Sequence, residues 1–484
     1  MITNTFNSIE DIGWYGSAYV LASCSTQLLF GRLYLFYSNK IVFIISVIIF
    51  MAGSAVCGAA PTSTAFIIGR ALAGCGAAGI FSGVTVVMIP MVPLGKRPMY
   101  QGMMGSLFGI SSVIGPLIGG AFTKSERLTW RWCFYINLPL GAVSLLIVLL
   151  FLHIPPPPKA DLSTREKLIR LDPVGTLLFM PAVISLLLAL QWGGLDYPWS
   201  NPRVVALLVL FGVLLISWIA TQIIGKENAT LPPRIILQRS VAAGLAMSCC
   251  IGGVMLSLGF YLPVWFQAIL GVDALQSGIR QLPFILALVV AAIVAGGVVT
   301  KSGYYTPCLI VCSCLMATGA GLLTTLRVDS GSSQWIGYQF LLGFGMGLGQ
   351  QQSGLAAQTV LKPEDVPVGV SLMFFGQSLG GAVFICVAQN IFIQQLFQNL
   401  RGVVGDANAS LLEHVGATDL RNYVPSELLS PTLVAYNKSI TTTFYVAVAI
   451  ASLSIIPALT FEWKSIKGLR GPKGEGNISA KGDQ

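Results

Sequence analysis

The sequence predicts an all-α polytopic membrane protein, and three observations carry this. The 484 residues are 54% hydrophobic and only 10% charged, with a mean hydropathy of +0.77, whereas soluble domains carry about 25% charged residues. Thirteen segments are long and apolar enough to cross a bilayer, which takes about 20 mainly apolar residues. Several of them repeat small residues at three- and four-residue spacing, which lets helices approach closely in lipid.

In order, the spans fall at 12–35, 41–60, 66–91, 99–122 and 132–152, then 173–191 and 204–223, then 241–268, 277–300, 305–326, 334–358, 366–395 and 439–461. The first eleven residues include Glu10 and Asp11 and no basic region, unlike a cleavable signal peptide. With the N-terminal end outside, eighteen of the 28 Lys and Arg residues fall in inner segments and nine outside, leaving Arg70 within a span. That bias marks the inner side as cytoplasmic. Residues 153–172 (HIPPPPKADLSTREKLIRLD) join a proline stop to a short basic stretch, which reads as a linker lying on the membrane surface or as a solvated loop. A second basic inner loop covers 224–239, and the longest outer loop covers 396–438. Of the sequons at Asn228, Asn408, Asn437 and Asn477, only Asn408 lies well outside and is a glycosylation candidate. The chain thus divides into an N-terminal bundle (1–152), a unit of linker and two spans (153–239), a C-terminal six-span bundle (240–461) and a basic cytoplasmic tail (462–484).

The 102–122 stretch carries no charge, yet Gly105, Gly109, Ser112, Gly115 or Pro116, and Gly119 recur every three or four residues. On a helix they form one stripe almost without side chains. Pro116 lacks the N–H that would bond the Ser112 carbonyl, so the helix can bend there. Alone, the stripe reads as a packing face; the sharper reading is a transporter hinge. Gly74, Gly76 and Gly79 match G-x-G-x-x-G, but an apolar helix precedes them and no acid follows at the spacing a dinucleotide site needs, so they read as packing glycines. Nothing resembles a P-loop, so nothing points to ATP drive. Arg70 is the one strongly buried charge. A central arginine costs at least ~2.5–3.5 kcal/mol, so Arg70 faces a polar cavity or partner, or else snorkels to the nearby outer interface. Amides mark several spans: Gln27, Gln267, Gln350, Gln351, Gln352, Gln358, Gln377, Gln389 and Asn390. They bond between helices or line a cavity, and the run at 350–352 favours a cavity. The net charge of +9 is spread over short loops and is no nucleic-acid footprint. Two histidines, and ten cysteines with no CxxC pair, argue against a metal site. No titratable cluster sits at membrane depth, against a membrane-embedded enzyme, and no filter-like sequence suggests a channel.

Taken jointly, these residues resemble the major facilitator superfamily, specifically the fungal fourteen-span drug:proton antiporters. GISSVIGPLIGGAF (109–122) is similar to the antiporter motif of the family's fifth helix, aligning Gly115, Pro116, Gly119 and Gly120. IIGRALAGCGAAG (67–79) is similar to the fourth-helix motif, which implies a part in proton transfer for Arg70. WRWCFYINLPLG (130–141) resembles the start of the sixth helix, DIGWYGSAYVLASCSTQLLFGRLY (11–34) the second, and YLPVWFQAILGVDALQSGIRQLP (261–283) the start of the C-terminal half. In the gating loop after the second helix, Gly31, Leu33 and Lys40 fit the family pattern, but Leu35 stands where an acid is expected. The resemblance implies fourteen spans, of which the first would be missing here.

The expectation is a two-bundle transporter that exports a small hydrophobic organic compound in exchange for protons. Arg70 would couple to protons, and the 102–122 helix would supply hinge and packing through Gly105, Gly109, Gly115, Pro116, Gly119 and Gly120. Gln27, Gln267, Gln351, Gln358 and Gln377 would line the substrate cavity. Siderophore-type uptake is the alternative within transport. The expected setting is the plasma membrane, as a monomer without cofactor or metal, whose partners are the substrate, protons and lipid.

Overall fold

The computed structural model describes residues 5–6, 11–124, 129–154, 163–194, 197–404 and 425–467. A helix stands at each segment that the sequence marks as a span. The first group is α1 (Ile12–Phe36), α2 (Asn39–Ala59), α3 (Ser63–Met91), α4 (Arg97–Lys124) and α5 (Asn137–Phe151, entered through Trp132–Tyr135). A short α6 (Thr164–Arg170) leads to a hairpin of α7 (Pro173–Trp192) and α8 (Pro202–Gly225). The second group is α9 (Arg239–Leu270), α10 (Ala274–Arg280), α11 (Leu282–Ser302), α12 (Thr306–Leu323), α13 (Ser332–Gly349), α14 (Gln352–Val360), α15 (Val366–Val404), α16 (Ser426–Leu453) and α17 (Ile455–Thr460). Among the described residues, ten helices are long and apolar enough to cross a membrane. α1, α4 and α13 stand where the sequence places further spans.

Two boundaries differ from the sequence reading. The span expected at 334–358 is broken, because α13 ends at Gly349 and α14 begins at Gln352. Glycine at 343, 345, 347 and 349 weakens the helix before the break. The last span also begins earlier than 439, since α16 starts at Ser426.

Glycines set the packing within each group. An added Cβ at Gly74 would lie 2.2 Å from the Tyr19 carbonyl oxygen, and one at Gly76 2.4 Å from the Phe50 nitrogen. The G-x-G-x-x-G run therefore brings the α3 backbone against α1 and α2. In the second group, an added Cβ at Gly252 would run into the Gln377 carbonyl and one at Gly380 into the Cys249 carbonyl, which closes α9 on α15. Such contacts hold helices together where lipid offers no hydrophobic drive. α5 and α8 instead turn Leu146, Leu150, Val209 and Ile216 outward, as lipid-facing helices do.

The groups meet along two seams, α4 on α11 and α1 on α15, with α7 lying on α1. A buried apolar cluster fills one end of the second seam. It combines Leu28, Leu35 and Phe36 of α1, Phe179 of α7, Leu231 and Ile235 from the 226–238 loop, and Val368 and Leu372 of α15. This end also carries Arg32, Lys40, Arg97, Arg234 and Arg239, and is called the basic end below.

Candidate functional site

The glycine stripe of α4 divides in two. Near the basic end, an added Cβ at Gly102 would lie 2.6 Å from the Ala292 carbonyl oxygen, at Gly105 3.2 Å from the Ala292 Cβ, and at Gly109 2.4 Å from Val289. From α11, Gly296 meets the Pro98 carbonyl in return. Further along, among the described residues a Cβ at Gly115 or Gly120 would meet nothing within 4 Å, and one at Gly119 only the Cys133 sulfur at 3.9 Å. The first half of the stripe is thus the seam with α11; the antiporter-motif half does not touch it.

The amides singled out from sequence do not form one cavity. Gln27 is buried and donates to the Ala78 carbonyl at 3.2 Å and to Ser82 Oγ at 2.5 Å. Ser371 of α15 bonds Ser82 at 3.0 Å, so this chain crosses the α1–α15 seam. Gln358 accepts from Arg97 at 3.3 Å, joining α14 to α4. Gln351 and Gln377, with Gln350, Gln101, Thr85 and Ser248, line a small polar space of about 20 Å³. Gln267 lies one turn beyond Pro263 on α9, outside that space and outside the cavity described next.

The larger cavity, about 310 Å³, lies between α4, α9, α11 and α15. Its walls include Phe108, Met255, Phe260, Phe284, Ile285 and Ile385, and its polar lining residues are Ser112 and Gln281. Among the described residues no charged side chain lines it. Met255 separates it from the polar space, receiving Gln350 and Gln377 on its sulfur at 4.0 Å. Sequence reading missed Phe108, Met255, Phe260, Phe284 and Gln281, because a phenylalanine or methionine at helical spacing looks like core.

Arg70 lies far from this cavity in its contacts. It is half-buried, donates from Nε to the Tyr15 carbonyl at 2.7 Å, and stacks over the Tyr19 ring at 4.5 Å. Among the described residues no carboxylate pairs with it. Nearby, Tyr15 shares a hydrogen bond with Ser63 at 2.8 Å, and Ser63 donates to Asp11.

At the basic end the gating-loop residues lie apart from the charged network. An added Cβ at Gly31 would lie 2.9 Å from Ser371, which puts Gly31 in the seam, and Leu33 packs beside Tyr34. Lys40 only reaches the Leu149 carbonyl, at 2.9 Å. Leu35 is a core residue, so no acid is available there. The charges sit on another loop. Arg234 binds both Asp365 oxygens just before α15, at 2.5 and 2.8 Å, and also bonds Glu227 at 2.8 Å. The Asp365 hydrogen bonds hold the Arg234 guanidinium well above its ordinary pKa. Asp365 is 3% exposed. Arg32 of α1 donates to the Glu227 carbonyl at 3.2 Å. The loop thereby touches both groups.

Of the sequon asparagines, Asn437 accepts from Trp265 and donates to the Leu326 carbonyl inside the fold, while Asn408 lies outside the described residues.

A sequence profile described as the Major Facilitator Superfamily matches residues 1–385. The chain belongs to the major facilitator superfamily. Curated superfamily relatives include the MFS-type efflux pump MFS1 of Trichophyton rubrum, 50% identical over 468 residues, covering 96% of this chain and 87% of that protein. Another is the rubrofusarin-specific efflux pump aurT of Gibberella zeae, 48% identical over 468 residues, covering 96% and 85%. Among solved superfamily structures, the proton:xylose symporter XylE shares the fold with a TM-score of 0.56 at 12% identity, covering 92% of this chain and 84% of that one. The chain is therefore a multi-pass membrane transporter rather than an enzyme, and its close relatives are fungal efflux pumps.

Proposed function

We propose that this transporter exports small, neutral, hydrophobic organic solutes in exchange for protons. The observation that carries the reading is the uncharged cavity of Phe108, Met255, Phe260 and Phe284 between α4, α9, α11 and α15. An apolar concavity with a few polar groups suits such a solute better than a charged metal chelate. The rubrofusarin specificity of the Gibberella relative and the efflux names of the others support this reading. Residues 1–152 and 240–461 would rock about this site, with 153–239 as linker. The basic end and the 462–484 tail would face the cytoplasm of a plasma-membrane monomer. Arg70, half-buried without a carboxylate partner among the described residues, is the proton-coupling candidate. The α4 glycines act as packing and hinge, with Gly102, Gly105 and Gly109 sliding on α11.

The test is uphill movement of hydroxyflavone into inside-out vesicles bearing the full chain, under an imposed pH gradient. Accumulation should collapse with a protonophore and with Arg70→Ala. Accumulation indifferent to the protonophore removes the proton; no movement in any condition removes the export reading.

A further inference from the structure

Two prolines each free a backbone carbonyl at a residue that lines the cavity. On α9, Pro263 has no N–H, so the carbonyl four residues back, at Gly259, loses its helical donor. On α4, Pro116 does the same to the Ser112 carbonyl. Gly259 and Ser112 both line the cavity and both are exposed. The third polar group is Gln281. It stands at the N-cap of α11, where its side chain makes no capping bond, and its Nε2 reaches the Gly259 carbonyl only at 3.4 Å. Ser112 Oγ is engaged with the Phe108 carbonyl at 2.9 Å. The Gln281 amide donor is thus turned to the Gly259 carbonyl and the Ser112 hydroxyl to Phe108, while the Gly259 carbonyl keeps a second lone pair and the Ser112 carbonyl and Gln281 side-chain oxygen can accept.

We propose that the cavity is an acceptor-lined site that selects neutral solutes carrying a hydroxyl or N–H donor, bound by the Gly259 and Ser112 carbonyls and the Gln281 amide. The proposal rests on the export reading and deepens it. A hydroxyl placed there bonds an oxygen that the helix leaves free, and its methyl ether has no proton to give. The acceptors are backbone atoms, so their presence depends on proline four residues downstream rather than on the side chains at 259 and 112. The spacings Gly259-x-x-x-Pro263 and Ser112-x-x-x-Pro116 free one carbonyl on α9 and one on α4.

The experiment compares hydroxyflavone with methoxyflavone on the purified full chain, by equilibrium binding and by transport in proteoliposomes. The wild type should bind the hydroxyl compound about 3–10-fold more tightly, as one net hydrogen bond allows. Gln281→Leu and Pro263→Ala should each bring that preference towards one. The alanine acts because its N–H takes up the Gly259 carbonyl. The change should appear in KM more than in kcat. Equal wild-type affinity for the two compounds overturns the acceptor site while leaving the export reading standing. A preference that survives both variants overturns it as well. If the wild type binds neither compound, the cavity assignment itself falls.

Discussion

Asp172 holds the linker hairpin with one carboxylate. Its backbone is left-handed at φ 51°, a region aspartate enters because its short side chain bonds locally. Oδ1 caps α7 by accepting from the Gly175 N–H at 2.8 Å. Oδ2 accepts from Gln222 at 3.0 Å and from the Thr230 N–H and hydroxyl at 2.7 and 2.8 Å. Burial raises the carboxyl pKa, but these donors outweigh it and hold the group below its ordinary value. A depressed carboxylate contributes fully above the unfolded value, about 3.9, and its contribution fades as pH falls through the still lower folded value. Asp172→Asn keeps the shape but must turn an N–H towards some of those donors. We expect a loss of about 1–3 kcal/mol, seen as a lower unfolding midpoint in detergent. Both pKa values lie well below about pH 5, so the loss should be similar there and near pH 8. A loss confined to the higher pH would contradict this account. The α4 glycines give a second contrast. Gly102→Val drives a Cβ to 2.6 Å from the Ala292 carbonyl, whereas Gly115→Ala meets nothing within 4 Å. The first should lower both stability and export; the second should be neutral or stabilise by up to ~1 kcal/mol through helix propensity. A destabilising Gly115→Ala would mean that a further element covers that face.

At the scale of elements, apolar length made the long helices legible, because a spanning helix must satisfy its backbone internally over a fixed thickness. The break at 350–351 was hidden, since hydropathy sums over a helix interruption without registering it. The stripe on α4 was legible as a packing face, but sequence spacing does not say which neighbour it meets or where contact stops. The cavity was illegible for a similar reason. Phe108, Met255 and Phe284 come from three helices far apart in sequence, and each alone resembles core. Pro116 and the Ser112 carbonyl could be paired from spacing, yet their meaning needed Gly259 and Pro263 opposite them. The α4–α11 seam gives the matching prediction. Ala292 is 3% exposed and faces both Gly102 and Gly105. Ala292→Leu overfills this contact, which typically costs about 1–3 kcal/mol. It should slow export and lower the unfolding midpoint together; normal values for both would show that the seam is loose.

For the whole molecule, the proposed rocking requires the basic end to part in each cycle, and the 226–238 loop stands in the way. Leu231 and Ile235 fill the space between Leu35 and Phe36 of α1 and Val368 and Leu372 of α15. Arg234 fastens the loop to Asp365, Asp172 and Gln222 fasten it to the hairpin, and Arg32 meets it from α1. Only the Asp365 side of this pair is buried, Arg234 being 39% exposed, so losing the arginine leaves a buried carboxylate unpaired, whereas losing the carboxylate leaves a solvated arginine that still has Glu227. Arg234→Gln should therefore destabilise this closed arrangement specifically, and more than Asp365→Asn. A cysteine placed at Ser371, buried in the α1–α15 seam, should then react faster with a membrane-impermeant maleimide added from the basic side. Peptide-resolved mass spectrometry would separate it from the ten native cysteines. The stricter form joins cysteines at 234 and 365 with a short bis-maleimide. If the loop must release, the joined chain binds hydroxyflavone but does not export it, while each single cysteine variant capped with a monofunctional maleimide still does. Export at the same rate through the joined chain would show that the 234–365 contact travels intact through the cycle, and that the basic end opens elsewhere.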